Sequence, residues 1–284
     1  MIGIVPDNWG IGNLEIYKDT LIWDGQEPYT NKVFGFLTII GMPFNAIPIS
    51  TNDNPGGQEN SLDETYYSDI LGEDRYADLF TGRIIGLTVS DASQMIARGL
   101  FFDTFNKNNK VVLYALGEEQ GGGYVSDVQK IRDKFLGAGY DVTYKKIDYS
   151  NGVPSDWENE DLIFYAGHGA SSWQGLSSDK IPQLSNSLFI SQACQGCMDY
   201  TSPYSFCLSA IRKGAFAISG SISNAGTGMD TQLNTLNGVY YYNYPLGQAF
   251  TYGYEFGYDR AMHSLFADPT IVITPRFKFT NTDW

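Results

Sequence analysis

Two histidines, His168 and His263, and three cysteines, Cys194, Cys197 and Cys207, are the side chains of this sequence best suited to nucleophilic or metal chemistry. Their settings separate them. His168 follows the apolar run Leu162-Ile163-Phe164-Tyr165-Ala166 and stands between Gly167 and Gly169. Cys194 ends a second such run, Leu188-Phe189-Ile190-Ser191-Gln192-Ala193. Runs of this length and composition read as buried strands, so each group is delivered to a strand's end. Their separation of 26 positions suits a return connection joining neighbouring parallel strands, which would bring thiol and imidazole out side by side.

An imidazole beside a thiol stabilises the thiolate, which attacks a carbonyl carbon, and then protonates the leaving amine. The backbone N–H groups of Gly169 and Cys194, at strand ends, are the natural oxyanion donors. Glycines on both sides of His168 let backbone approach a ligand closely. A single His or Cys at a strand end is more often structural than catalytic, but the same arrangement on two strands favours chemistry.

The remaining cysteines invite other readings. Cys194-Gln195-Gly196-Cys197 is a Cys-x-x-Cys, yet zinc needs four ligands, and Cys207 and the distant His263 would have to complete the set. A thioredoxin-like redox pair normally begins a helix near an N-terminal βαβ unit rather than following a histidine strand. No metal ligands are assigned. An odd number of cysteines leaves at least one thiol free unless two chains pair. His263, within Asp259-Arg260-Ala261-Met262-His263, reads as a packed or surface helix residue without a role.

The elements that must position His168 and Cys194 follow from periodicity. Residues 33–41 and 83–89 read as strands. Ser90 or Asp91 would cap a helix running to about Phe105. After the polar, asparagine-rich segment Phe105–Lys110 comes a regular alternation. Strands are expected at Val111–Leu116, Tyr140–Ile147, Asp161–Ala166, Ser187–Ala193, Ala215–Ser219 and Thr270–Thr274. A helix is expected over Val125–Leu136, closed by Gly137 or Gly139. Such alternation predicts an α/β sandwich with a mostly parallel sheet, whose reacting groups gather at the strands' carboxyl ends.

Composition narrows the partners. Eighteen Lys and Arg against 32 Asp and Glu give a formal charge of -14, which repels nucleic acid and anionic bilayers. No apolar run is long enough to span a membrane, and the visible N-terminus has no secretory signal pattern. The acidic stretch 50–75 could hold structural calcium. It lacks EF-hand spacing, and a solvated loop fits it better.

Tyr165-Ala166-Gly167-His168-Gly169 followed by Gln192-Ala193-Cys194 resembles the signatures of caspase-like cysteine peptidases, and more closely those of the gingipain family. Three further stretches carry the narrower resemblance: Tyr76–Arg83, Gly214–Ile218 and Phe266-Ala267-Asp268-Pro269-Thr270, the last with Ala267 where the family usually has Gly. The resemblance implies a caspase-like three-layer sandwich of two side-by-side α/β lobes, about 1–107 and 108–284, with the chemistry in the second. It implies a thiol endopeptidase acting on peptides or proteins, needing no organic or redox cofactor, and exported from the cell.

By the same resemblance Glu118 joins Cys194 and His168 as the third catalytic member, and Asp127 is the primary-pocket acid that selects Arg or Lys. Gln192, Ser221 and Ser223 then belong to the substrate-binding wall. On physical grounds alone Glu118 is equally a loop carboxylate, and Asp127 equally an acid in a helix's first turn, favoured by the dipole. The stretch Ser219–Thr227 has no aromatic to lie over a pocket, which argues against strict arginine selectivity. A silent caspase-like domain that only binds peptides is the alternative function.

Overall fold

The structure is a computed structural model that describes residues 2–4, 35–40, 79–105, 107–117, 123–148, 152–153, 157, 159–169, 172–197, 203–221, 228–255 and 263–284. It has a three-stranded parallel sheet and a six-stranded sheet. The small sheet orders β1 (Ile2–Ile4), β2 (Gly35–Ile40) and β3 (Leu79–Ile84).

The large sheet is built from β4 (Lys110–Leu116), β5 (Asp141–Ile147), β6 (Leu162–Ala166), β7 (Leu188–Gln192), β8 (Ala217–Ser221) and β9 (His263–Phe266). Its order is β5-β4-β6-β7-β8-β9. All pairs are parallel except β8 with β9. This is the α/β architecture the alternating pattern predicts. Strands β4, β6 and β7 are buried along almost their whole length, as central strands covered on both faces must be. Edge strand β5 alternates between exposed and half-buried residues and carries Lys145 and Lys146, charges that discourage edge-to-edge pairing.

Five helices accompany the sheets among the described residues: α1 (Val89–Leu100), α2 (Val125–Ala138), α3 (Phe206–Lys213), α4 (Asp230–Asn237) and α5 (Leu246–Glu255). A π-helical turn, Gly238–Tyr242, follows α4. Helix α2 buries Val128, Ile131 and Phe135 on one stripe. Gly139 closes it with φ of 99°, a conformation that favours glycine. Phe135 then meets Tyr140, Tyr240 and Phe279 edge-on, with ring centroids 5.1, 4.8 and 4.9 Å away.

Four expectations change. Strand β3 spans Leu79–Ile84 rather than 83–89, and the cap of α1 is Thr88 rather than Ser90 or Asp91. Thr88 Oγ1 accepts from the Asp91 N–H while the Asp91 carboxylate accepts from the Thr88 N–H, a capping box that fixes the start earlier. The last strand is β9, and His263 lies on it rather than on a helix. Residues 270–274 form no strand of the sheet and make only an isolated bridge, Val272 with Pro245.

The two sheets meet where β3 passes the chain just after β9. A Cβ on Gly82 would collide with the Ala267 carbonyl oxygen and lie 2.9 Å from Pro269 Cδ, so only glycine permits this approach. Helix α1 is also tied to α3, since Arg212 donates from Nε and Nη2 to the Asp91 carboxylate at 2.8 and 2.7 Å. Among the described residues no helix is long and apolar enough to cross a membrane.

Candidate active site

Register puts the two reactive residues together. Ala166 of β6 is paired with Gln192 of β7, and the Gly167 N–H donates to the Gln192 carbonyl at 3.0 Å, extending the ladder by one step. His168 and Cys194 are thus each the second residue beyond that pair, at the carboxyl edge of adjacent parallel strands. His168 is exposed, Cys194 and Gly169 are half-buried, and Ala193 between the strands is buried. A Cβ on Gly169 would stand 2.8 Å from Ala193 Cβ and 3.3 Å from the Cys194 carbonyl oxygen. The histidine loop therefore lies directly against the cysteine's backbone, and a side chain at position 169 would force them apart.

The turn after the nucleophile candidate is held from several directions. Gln195 adopts φ of 54°, the left-handed region, which costs a residue with a Cβ on the order of 1 kcal/mol and needs surrounding structure to hold it. The Cys197 N–H donates to the Ser221 carbonyl at 2.8 Å, tying the turn to the end of β8. Cys197 and Cys207 form a disulfide that joins the turn to the first residues of α3. Cys194 is the free cysteine. The Cys-x-x-Cys spacing therefore does not mark a mutual pair, because the sulfur of Cys197 is committed to Cys207.

Along the same sheet edge the order is β4, β6, β7, β8. Asp127 lies in the first turn of α2, the helix that follows β4, next to the histidine strand. Its carboxylate is partly exposed and accepts from Lys130 Nζ at 3.0 Å. Glu118 and Ser223 lie outside the described residues.

Gln192 and Ser221, expected in the substrate wall, are both fully buried. Gln192 donates from Nε2 to the Gly228 carbonyl at 2.7 Å and accepts at Oε1 from Gln232 Nε2. Gln232 Nε2 is also 3.0 Å from His263 Nε2, and His263 is the cross-strand neighbour of Ser221. These residues join β7, β8, β9 and α4 behind the site and present no side-chain surface to a ligand in this state. His263, without a role by its sequence setting, is a member of that buried network. Among the described residues no group of three or more His, Cys, Asp and Glu side chains is placed to hold a metal ion.

Geometry thus defines the class first: an α/β fold of the gingipain and caspase-like kind, with a free thiol and an imidazole at adjacent strand tips. The sequence matches the model of peptidase family C25 over residues 9–273, and the chain belongs to that family of cysteine peptidases. Among solved structures it is similar to the Arg-specific cysteine proteinase gingipain R, with TM-score 0.67 and 16% identity, covering 93% of this chain and 68% of that one. It is similarly close to the complex of Porphyromonas gingivalis RgpB pro- and mature domains, with TM-score 0.66 and 17% identity, covering 93% and 70%. A further protease structure is similar, with TM-score 0.64 and 16% identity, covering 84% of this chain and 64% of that one. Among curated proteins no sequence matches the chain.

Proposed function

We propose that this chain is a cysteine endopeptidase in which Cys194 is the nucleophile and His168 the acid-base partner. One observation carries the reading: a free thiol and an imidazole at the same register position beyond paired residues of adjacent parallel strands, in a member of a cysteine peptidase family.

In the first half-reaction His168 takes the thiol proton and the Cys194 sulfur attacks the scissile carbonyl carbon. The negative charge on the carbonyl oxygen is received by the N–H groups of Gly169 and Cys194. Collapse expels the amine, which takes its proton from His168, and leaves a thioester. Water, deprotonated by His168, then attacks the thioester and releases the acid product and free thiol. Glu118 is proposed to orient the imidazole. No organic or redox cofactor enters these steps, and we place the enzyme outside the cell.

Cleavage after Arg or Lys is proposed through Asp127, whose carboxylate would form charge-assisted bonds to the substrate cation. Gingipain R, to which the chain is similar, is an Arg-specific proteinase. In this chain Lys130 already sits on Asp127, so a substrate cation must displace an internal one.

The test is labelling of Cys194 with a substrate-like electrophile in the wild type and in His168→Ala, with cleavage of a random peptide pool read alongside. Labelling that depends on His168, and cuts after basic residues, is expected. Labelling indifferent to His168, with no cleavage, would leave a peptide-binding domain as the better account. Cleavage with another clear preference would remove Asp127 from its role.

A further inference from the structure

We infer that Tyr165 is a positioning residue for His168, an assignment that rests on the acid-base role proposed for that histidine. The hydroxyl of Tyr165 donates to the His168 carbonyl oxygen at 2.5 Å and accepts from the Gln174 N–H at 3.2 Å. It thereby clamps the outgoing and returning arms of the loop that carries the imidazole. Gly167 makes room for this, because a Cβ there would stand 2.7 Å from the Tyr165 hydroxyl and 2.9 Å from its ring.

The phenol is itself held rigidly. Its ring stacks on Trp173 with centroids 4.6 Å apart and planes 9° from parallel, and both rings are buried. Trp173 pairs with Gly169 in an isolated β-bridge and donates from Nε1 to Ser191 Oγ at 3.0 Å. Ser191 is on β7, a short step before Cys194. A closed circuit results: β6 to Tyr165, to the His168 carbonyl, through Gly169 and Trp173 to Ser191, and along β7 to the thiol.

The His168 side chain is exposed, and the peptide planes on either side of it set the direction in which its Cα–Cβ bond leaves the backbone. Misplacement of a reacting group by about 1 Å can cost about a hundredfold in rate, so a hydroxyl that fixes the carbonyl acts on turnover more than on binding.

The experiment compares wild type, Tyr165→Phe, Gly167→Ala and His168→Ala. Tyr114→Phe serves as a control that removes an equally buried hydroxyl bonded to Trp157 Nε1 at 2.8 Å. Turnover is measured on fluorogenic peptides bearing Arg or Lys before the cut, and Cys194 alkylation by iodoacetamide is followed against pH. Tyr165→Phe is expected to lower kcat about tenfold or more with KM within about twofold, and to displace the pH profile of alkylation. Tyr114→Phe should lose comparable thermal stability with kcat and profile unchanged.

Gly167→Ala pushes the hydroxyl away by another route and should show the same kcat-selective loss, which keeps the test open even if Tyr165→Phe folds poorly. An unchanged kcat and profile in the Tyr165 and Gly167 variants, with His168→Ala inactive, overturns this assignment alone. Full activity of His168→Ala overturns the proposed function and this assignment with it.

Discussion

Replacing Asp91 by Asn is expected to destabilise the protein in a way that depends on pH. The Asp91 carboxylate receives Arg212 Nε and Nη2 at 2.8 and 2.7 Å, and the N–H groups of Leu87 and Thr88, each at 3.0 Å. The Arg212 hydrogen bonds, against the opposing effect of burial, bring its pKa down from an ordinary 3.8 to about 2. A folded pKa below the unfolded one adds stability that is present above about pH 4 and lost as pH falls through about 2. The size is on the order of 2 kcal/mol at neutral pH. It is an upper figure, because the Arg212 side chain is 33% exposed and solvent screens the pair.

Urea unfolding of wild type and Asp91→Asn across pH 7 to 2.5 measures this. The gap in unfolding free energy should be widest at neutral pH and narrow steadily below pH 4. A gap that stays constant across that range would show that the carboxylate's charge is not the source. A gap near zero at pH 7 would show that the α1–α3 tie does not stabilise the fold.

Three other outcomes follow from the site. Lys130→Ala should free Asp127 and lower KM for peptides with Arg before the cut a few-fold, leaving kcat nearly unchanged; a raised KM would mean that Asp127 does not receive the substrate. Gly169→Ala should reduce kcat/KM by about a hundredfold or more through displacement of the histidine loop, with circular dichroism unchanged and turnover as the readout. Cys197→Ser together with Cys207→Ser should lower stability by about 2–3 kcal/mol, as expected for a cross-link spanning a separation of 10 residues. Iodoacetamide should still react with Cys194 in that variant, and loss of the reaction would mean that the cross-link also shapes the nucleophile.

Much of this was legible in the residues. Buried central strands leave long apolar runs, so the strands carrying His168 and Cys194 could be located, and an almost regular alternation specified their parallel pairing. What escaped depends on partners far along the chain. His263–Phe266 is only four residues long and becomes a strand because β8 offers an antiparallel edge.

The apolar stretch that includes Ile271 and Ile273 looks like a strand, yet it buries those side chains with little ladder pairing. Gln192 reads as a polar residue beside a nucleophile. Its burial is explained by the Gly228 carbonyl and Gln232, neither of which is visible from position 192. The Cys197–Cys207 pairing could not be chosen from three cysteines by count alone, whereas the geometry of the turn selects it. Tyr165 sat in plain view within the histidine motif, but a hydroxyl's bond to a carbonyl a few residues on has no periodicity to announce it.

The disulfide after the nucleophile has a consequence for how the protein could be cut and still function. The nine residues between Cys197 and Cys207 lie in a covalent loop, so a protease that severs any of its peptide bonds leaves both pieces joined by sulfur. Such a nicked molecule would migrate as one band without reductant and as two with it, and its catalytic edge would stay attached to the helix that supports it.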